Sequence, residues 1–154
     1  MHTTPDAIHR DLILPAPPER VRAALTQADA LSAWFGSHAS VDLRPGGQIS
    51  FAWDGPGGER FTNGGVIDVV EPPRRFAFRW QPYVAPEHAA RAAGMTTRVE
   101  FTLEPHTEGT RLLLVESGFA SLPPDLRRRA IERNSAGWLR ELGDLAAYFA
   151  TASA

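Results

Sequence analysis

Glu116 is the polar side chain that the sequence places best for chemistry. Leu112 and Leu114 precede it at every second position of a strand-like segment, so strand parity directs the Glu116 carboxyl toward the apolar side. A carboxylate in apolar surroundings is costly unless it is paired or protonated, and one kept there indicates ligand recognition or proton transfer. The alternative is that the strand frays at Ser117 and Gly118 and leaves Glu116 in water. Both interpretations stay open, with Glu116 as the candidate catalytic acid or base.

Aromatic side chains recur in several further strand-like segments, and one more lies on a predicted helix. Parity places them on the apolar faces of their strands, and the helical tryptophan points toward the same side. Such a set can line a pocket for an apolar or aromatic ligand, with the indole N–H groups as polar contacts, or it can fill a core. Core packing is favoured for each residue alone, whereas some members of the set are expected to line a cavity. The set comprises Phe51, Trp53, Phe78, Trp80, Phe101 and Trp138.

Four more residues complete the candidate ligand site. Tyr83 lies in a proline- and alanine-rich segment, 81–94, which is interpreted either as a flap over the site or as a plain loop. Asn134 is placed to hydrogen-bond into the pocket or to lie at the edge of the helical stripe, and Trp34 and Leu142 add apolar surface. Gly137, inside the same helix, predicts a close approach of helix to sheet or room for a ligand beside Trp138.

Several kinds of chemistry lack the residues they need. The chain has no cysteine and no lysine, so thiolate sites and a lysine-containing phosphate loop are excluded. No metal-ligand spacing is present, and we predict neither a metal site nor a cofactor. A net charge of −2 and a pI near 6.2 give no reason to expect nucleic acid or an anionic membrane as partner. No apolar run is long enough for membrane insertion, and the default expectation is a cytoplasmic protein. The five histidines are scattered: His2, His9, His38, His88 and His106.

The elements that must position these residues follow from periodicity. A strand is predicted over 7–14, then a short helix from Pro17-Pro18 and a second helix with Asp29 as N-cap, ending at 34–36. Alternation then predicts about six strands, including 41–43, a strand over 61–70 with a bulge at Gly64-Gly65, and strands 95–104 and 110–117. A single helix follows from Pro123 almost to the end. Its apolar stripe is Ile131, Ser135, Trp138, Leu142, Leu145 and Phe149, and the solvated face is assigned to Arg127, Arg128, Arg129, Glu132, Arg133, Arg140 and Glu141.

This order predicts one α+β domain over 1–154, with a core over about 7–150. A sheet with one apolar face and a single amphipathic helix must bury those faces against each other. Because a twisted sheet is concave, a cavity between sheet and helix is expected.

A set of short segments follows a familiar order along nearly the whole chain: 14–21, 24–26, Trp34, Pro45-Gly46-Gly47, Gly65-Val66, 71–76, 97–101, Gly109-Thr110, 116–119 and 134–138. In these segments the chain resembles the SRPBCC (START-like, helix-grip) superfamily, and more narrowly the bacterial homologues of the C-terminal domain of the activator of the ninety-kilodalton heat-shock protein ATPase. The resemblance implies a curved antiparallel sheet of six to seven strands wrapped round a long C-terminal helix, with an elongated hydrophobic cavity. It implies function only loosely, because fold does not fix function.

Three functional hypotheses follow. The first is non-enzymatic binding of a small hydrophobic or aromatic molecule between sheet and helix. The second is an enzyme of the cyclase or hydratase type that uses Glu116 as acid or base, with Tyr83 from the flap. The third is a co-chaperone-like domain with a protein partner, which requires an exposed apolar patch. The oligomeric state does not follow from the sequence.

Overall fold

The computed structural model describes residues 6–152 and has the predicted α+β organisation. Two short helices follow the first strand, six strands come next, and a 29-residue helix ends the described chain. The elements are β1 (Ala7–Leu14), α1 (Pro18–Thr26), α2 (Ala28–Trp34), β2 (His38–Val41), β3 (Gln48–Asp54), β4 (Arg60–Glu71), β5 (Arg75–Trp80), a 3-10 helix (Pro86–Ala92), β6 (Thr97–His106), β7 (Gly109–Ser117), a 3-10 turn (Phe119–Ser121) and α3 (Pro124–Ala152).

The seven strands form one antiparallel sheet in the order β1-β7-β6-β5-β4-β3-β2. Buried and half-buried residues alternate along β7 and along the first seven residues of β6, because successive side chains point to opposite faces of the pleated sheet. The inward apolar residues of both strands belong to the same core cluster as the buried apolar residues of α3. The curved sheet is thus closed on one face by the long helix, as predicted.

The predicted stripe of helix α3 faces the sheet, and one of its members makes a polar contact. Trp138, Leu142, Leu145 and Phe149 are buried, and each such side chain contributes about 1.5–3 kcal/mol of burial free energy. Ile131 is partly buried. Ser135, also on the predicted stripe, accepts a hydrogen bond from Arg10 of β1 at 2.5 Å. The stripe therefore includes one polar contact with the edge strand.

Glu141 does not lie on a solvated face of α3, as the sequence interpretation assigned it. Its side chain is buried, with 7% of the residue exposed. It lies three residues after Trp138 and four before Leu145, and residues at these separations are neighbours on a helix surface. The buried face is therefore broad enough to include this carboxyl.

Four other local predictions are corrected. Helix α2 has Gln27 as its N-cap, and Asp29 lies in its first turn. Strand β2 ends at Val41, so Leu43 is outside it and exposed. The irregularity of β4 falls between Ile67 and Val69, not at Gly64-Gly65. A Cβ atom added to Gly137 would meet nothing within 4 Å, so no close approach of helix to sheet requires this glycine.

Candidate functional site

Glu116 is fully buried in β7, with 0% of the residue exposed. It pairs with Val99 of β6 on one side and with Ile8 of β1 on the other, so it lies in the interior of the sheet. The inward orientation is the one that strand parity predicts. The alternative of a frayed strand end is wrong, because β7 continues through Ser117 and turns only at Gly118, which has a φ of 95°.

Four neutral donors surround the Glu116 carboxyl, and we call them the Glu116 donors: Trp80, Thr97, Asn134 and Trp138. The indole N–H of Trp80 donates to Oε2 at 2.9 Å, and that of Trp138 donates to Oε1 at 2.8 Å. The Thr97 hydroxyl donates to Oε2 at 2.5 Å. The Asn134 amide nitrogen reaches both oxygens, at 3.1 and 2.9 Å. Both oxygens of this buried carboxyl therefore have hydrogen-bond partners from β5, β6 and α3.

Asn134 also ties the 81–94 segment to the interior. Its Oδ1 accepts a hydrogen bond from the Tyr83 backbone N–H at 3.2 Å, and this contact fixes which end of the amide faces Glu116. The Arg133 guanidinium lies over the Tyr83 ring at 4.5 Å, and Arg91 makes a bidentate pair with Asp125 at 2.7 and 2.8 Å. The segment thus rests against the first half of α3, and the Tyr83 ring packs there rather than beside Glu116.

Phe35 occupies the centre of the aromatic interior. Its ring stacks against Trp138 at 5.6 Å and against Trp80 at 6.1 Å, and it meets Phe51 and Trp53 edge-on at 4.7 and 5.4 Å. Both offset stacking and edge-to-face contact are favourable geometries for aromatic pairs. Phe35 is the C-cap of α2 and 3% exposed. Its side chain fills the space in which the sequence analysis expected a ligand.

The space between sheet and helix is consequently almost closed. About 10 Å³ remains among eight side chains, which is at the lower limit for one water molecule. The elongated cavity implied by the family resemblance is therefore not open in this structure. Glu116 does not line this remainder, which is bounded by Leu25, Leu31, Trp34, Phe35, Phe51, Phe78, Phe101 and Trp138.

An open cleft of about 710 Å³ lies directly outside the aromatic interior. We call it the α2–α3 cleft. Trp34 and Trp53 line it and also contact the Phe35 ring, so these two indoles separate the cleft from the closed interior. Its residues come from α2, the turn after α2, β3 and the second half of α3: Ala33, Trp34, Gly36, Trp53, Glu141, Asp144, Ala147 and Tyr148.

The backbone at Gly36 is what brings the two tryptophans of this cleft together. Gly36 has a φ of 79°, and a Cβ atom there would lie 2.6 Å from the Ala52 carbonyl oxygen and 3.1 Å from the Trp53 indole nitrogen. The left-handed conformation and the close strand both require glycine. The chain can therefore turn from α2 into β2 close against the β3 backbone, which brings the end of α2 near Trp53.

Glu141 brings a buried charge to this cleft. Burial raises the pKa of its carboxyl above the ordinary value and is the largest influence. The Arg140 charge lowers this pKa, the Asp144 charge raises it, and hydrogen bonding with Arg140 and Trp53 lowers it, with a net upward shift. The Arg140 Nε lies 3.7 Å from Glu141 Oε1, and 72% of the Arg140 side chain is exposed to solvent. Such a pair compensates the buried charge weakly.

Most of this chain matches one known family. Residues 15–150 match the model of the family described as activator of Hsp90 ATPase homolog 1-like protein. The chain belongs to this family. Among curated proteins, no sequence matches the chain.

Solved structures show that the family fold is shared. Protein CV1439 from Chromobacterium violaceum is 25% identical, with a TM-score of 0.75 over 94% of this chain and 98% of that one. DynU16, from the dynemicin biosynthetic locus, is 28% identical, with a TM-score of 0.73 over 97% of this chain and 49% of that one. The Aha1 dimer from Colwellia psychrerythraea, solved in solution, is 20% identical, with a TM-score of 0.71 over 93% of this chain and 95% of that one.

Within this family fold, the predicted site residues fall into four groups. Phe51, Phe78, Phe101 and Leu142 are buried in the core, and Trp80, Asn134 and Trp138 join Glu116. Trp34 and Trp53 line the open cleft instead, and Tyr83 packs on the outside of α3.

Sequence reasoning missed Phe35, Glu141, Asp144 and Tyr148. The last three are spaced by three and four residues on α3, a signal that was present beside the apolar stripe. Phe35 gave no periodic signal, because it lies where α2 ends.

Two further findings concern the part of the chain that the structure describes. Across residues 6–152, no helix is both long and apolar enough to cross a membrane. Over the same range, histidine, aspartate and glutamate side chains nowhere gather in threes in a way that could hold a metal ion. His2 lies outside the described residues.

Proposed function

We propose that this protein binds a small apolar or aromatic molecule in the α2–α3 cleft, between the sheet and the C-terminal helix, without acting on it chemically. The observation that carries the proposal is the position of Trp34 and Trp53. They line an open space of about 710 Å³ and contact the Phe35 ring of the aromatic interior. Ligand pockets of this size range are typically lined by aromatic side chains with a few polar groups.

The aromatic interior supports this proposal as a rigid backing for the cleft. Trp53 packs edge-on against Phe35, which in turn stacks against Trp80 and Trp138. A planar ligand placed against the outer side of Trp53 therefore adds one ring to an ordered cluster. Such offset-stacked and edge-on contacts favour aromatic ligands by about 0.5–1.5 kcal/mol beyond the area they bury.

The two other hypotheses have less support from the geometry. The enzyme hypothesis requires Glu116 to face a cavity, whereas its oxygens accept hydrogen bonds from four donors and it does not line the remaining interior space. The co-chaperone hypothesis requires an exposed apolar patch. The large exposed apolar side chains lie on separate elements, namely β1, the β2–β3 connection, β4 and α3.

The four tryptophans provide a direct test, because each indole N–H gives its own signal in a nitrogen–proton correlation spectrum. Two of them line the cleft, and two donate to Glu116. We expect titration with 2-phenylethanol, 2-phenylethylamine and 3-phenylpropionate to move the Trp53 signal saturably for at least one probe. Trp53→Ala, followed by the indole signal of Trp34 on the same cleft, should abolish the binding. Leu139→Ala, at a residue 70% exposed on α3, should preserve it.

Three outcomes would count against the proposal. A complete absence of saturable shifts with all three probes would overturn ligand binding in this cleft. Shifts confined to the Trp80 and Trp138 signals would place the ligand in the interior beside Glu116. Equal affinity of Trp53→Ala and the wild-type protein for a probe would mean that Trp53 does not contribute to the binding site.

A further inference from the structure

One wall of the α2–α3 cleft is aromatic and the facing wall is acidic. Trp34 and Trp53 come from α2 and β3, whereas Glu141 and Asp144 come from α3 and are followed by Tyr148 one turn later. Spacings of three and four residues place the three α3 side chains on one strip of the helix surface. Apolar contact and negative charge thus meet within one open space.

The protein compensates the acidic wall only in part, because the hydrogen bond between Trp53 and Glu141 and the pairing with Arg140 are outweighed by the burial of Glu141. Glu141 is more than nine-tenths buried and lines the cleft, while its cationic neighbour Arg140 is largely exposed and 3.7 Å away. Asp144 adds a second negative charge on the same strip and acts on Glu141 in the unfavourable direction. The contributions of α2 and β3 to the lining are uncharged. A positive group entering the cleft would relieve this repulsion.

We propose that the ligand of the α2–α3 cleft carries a positive charge, as a protonated amine attached to an apolar or aromatic body. The ammonium group contacts Glu141 and Asp144, and the body lies against Trp53 and Trp34. Carboxylate pairing and the negative face of an indole ring both attract a cation, so the two walls select for the same ligand class. The inference rests on the proposed function, since it names the chemistry of the molecule bound at that cleft.

The three probes differ only in the group at the end of a phenyl-bearing chain, so they test this inference directly. The wild-type protein should bind 2-phenylethylamine roughly tenfold more tightly than 2-phenylethanol, because a hydrogen bond to a charged group is worth more than a neutral one. It should bind 3-phenylpropionate most weakly. Dissociation constants come from the same titrations of the Trp53 indole signal.

Variants then test whether the preference for the amine over the alcohol comes from Glu141 and Asp144. Combining Glu141→Gln with Asp144→Asn keeps both shapes and removes both charges, so amine and alcohol should bind about equally. Glu132→Gln removes one charge at an exposed position nine residues before Glu141 on the same helix, and the amine preference should survive. The dispersion of the amide spectrum verifies that each variant folds.

Two results would overturn the inference while the proposed function stands. One is equal affinity of the wild-type protein for alcohol and amine, with the Trp53 signal shifting for both. The other is an amine preference that persists in the double variant. Failure of all three probes to bind is a different result, since it overturns the proposed function itself. If the double variant does not fold, the comparison of probes on the wild-type protein still decides.

Discussion

Two buried glutamates in this protein have opposite surroundings. Glu116 is fully enclosed and accepts hydrogen bonds from two indoles, a hydroxyl and an amide, all of them uncharged. Glu141 is almost as buried, but it borders open space and lies near a second carboxyl. Its partners are one indole, that of Trp53, and an exposed arginine 3.7 Å away. The same residue type is thus enclosed by the fold at one place and left available at the other.

This contrast indicates which of the two buried carboxyls is available to a ligand. A buried polar group costs free energy unless its partners are present, and a network with every member satisfied mainly specifies the fold. Glu116 has this structural character, because its donors come from β5, β6 and α3 and join these elements. At Glu141 the free-energy cost of burying the carboxyl is not fully offset by its partners in the protein. A ligand that pairs with this carboxyl can offset the rest. The more deeply buried carboxyl is therefore the weaker candidate for ligand contact.

The largest expected effect comes from removing the Glu116 carboxyl. Glu116→Leu leaves two indole N–H groups and the Asn134 amide buried without their acceptor, and each such group costs about 1–3 kcal/mol. We expect the free energy of unfolding to fall by about 3 kcal/mol or more, measured by urea denaturation. Glu104→Leu, at an exposed position of β6, should change stability by less than about 1 kcal/mol. Equal stability of Glu116→Leu and wild type would refute the structural role of this carboxyl.

Asn134→Ala is the next largest change, because it removes a donor to Glu116 and the acceptor for the Tyr83 N–H together. The free energy of unfolding should fall by about 1–3 kcal/mol. Amide hydrogen exchange at Tyr83 should accelerate as well, since its hydrogen bond is lost. Glu132→Ala, two residues earlier and exposed, serves as the control. Unchanged exchange at Tyr83 would mean that Asn134 does not hold the 81–94 segment against α3.

A smaller effect is expected at Gly137, which lies on α3 between Asn134 and Trp138. A Cβ atom there meets nothing within 4 Å, so Gly137→Ala should raise stability by about 1 kcal/mol through helix propensity alone. The gain should be the same at every pH, because no titratable group is changed. A loss of stability would show that the helix needs flexibility or space at this point, contrary to the structure.

The sequence was most informative where periodicity was strict. Alternation in the segment that forms β7 gave the inward side as one of two open interpretations for Glu116, and the structure has the residue buried there. The alternating aromatics of β3 and β5 were correctly assigned to strands. Trp138 and Leu142 were correctly placed on the buried face of the last helix. These predictions depend on local geometry, in which the direction of a side chain follows from its position in a strand or helix.

The sequence was least informative where tertiary packing decides. Phe35 closes the expected cavity from the end of a short helix, and no repeat in the sequence marks its direction. Glu141 was assigned to the solvated face because it lies off the apolar stripe, although it is buried and lies three residues after Trp138 on the same helix. Whether a concave sheet encloses a ligand or its own side chains depends on how all these rings pack together, which pairwise spacing does not reveal.

The smallest expected effect concerns the Glu141 carboxyl, and its size depends on pH. Burial raises the pKa of Glu141 in the folded protein above its usual 4.5, so the folded state holds this proton more tightly than the unfolded state does. The stability that this gives is full below about pH 4.5 and is lost as pH rises through the raised pKa. Glu141→Gln should therefore be more stable than wild type at neutral pH, and the difference should shrink as pH falls toward 4.5.

Urea midpoints of Glu141→Gln, wild type and Glu132→Gln at several pH values measure this difference. Glu132→Gln should follow the wild-type curve closely, because its side chain is 54% exposed. Should Glu141→Gln instead be less stable than wild type at neutral pH, the Glu141 charge would be stabilised within the fold in the way that hydrogen bonds satisfy Glu116. The contrast between the two glutamates would then disappear, and with it the electrostatic reason for a cationic ligand in the α2–α3 cleft.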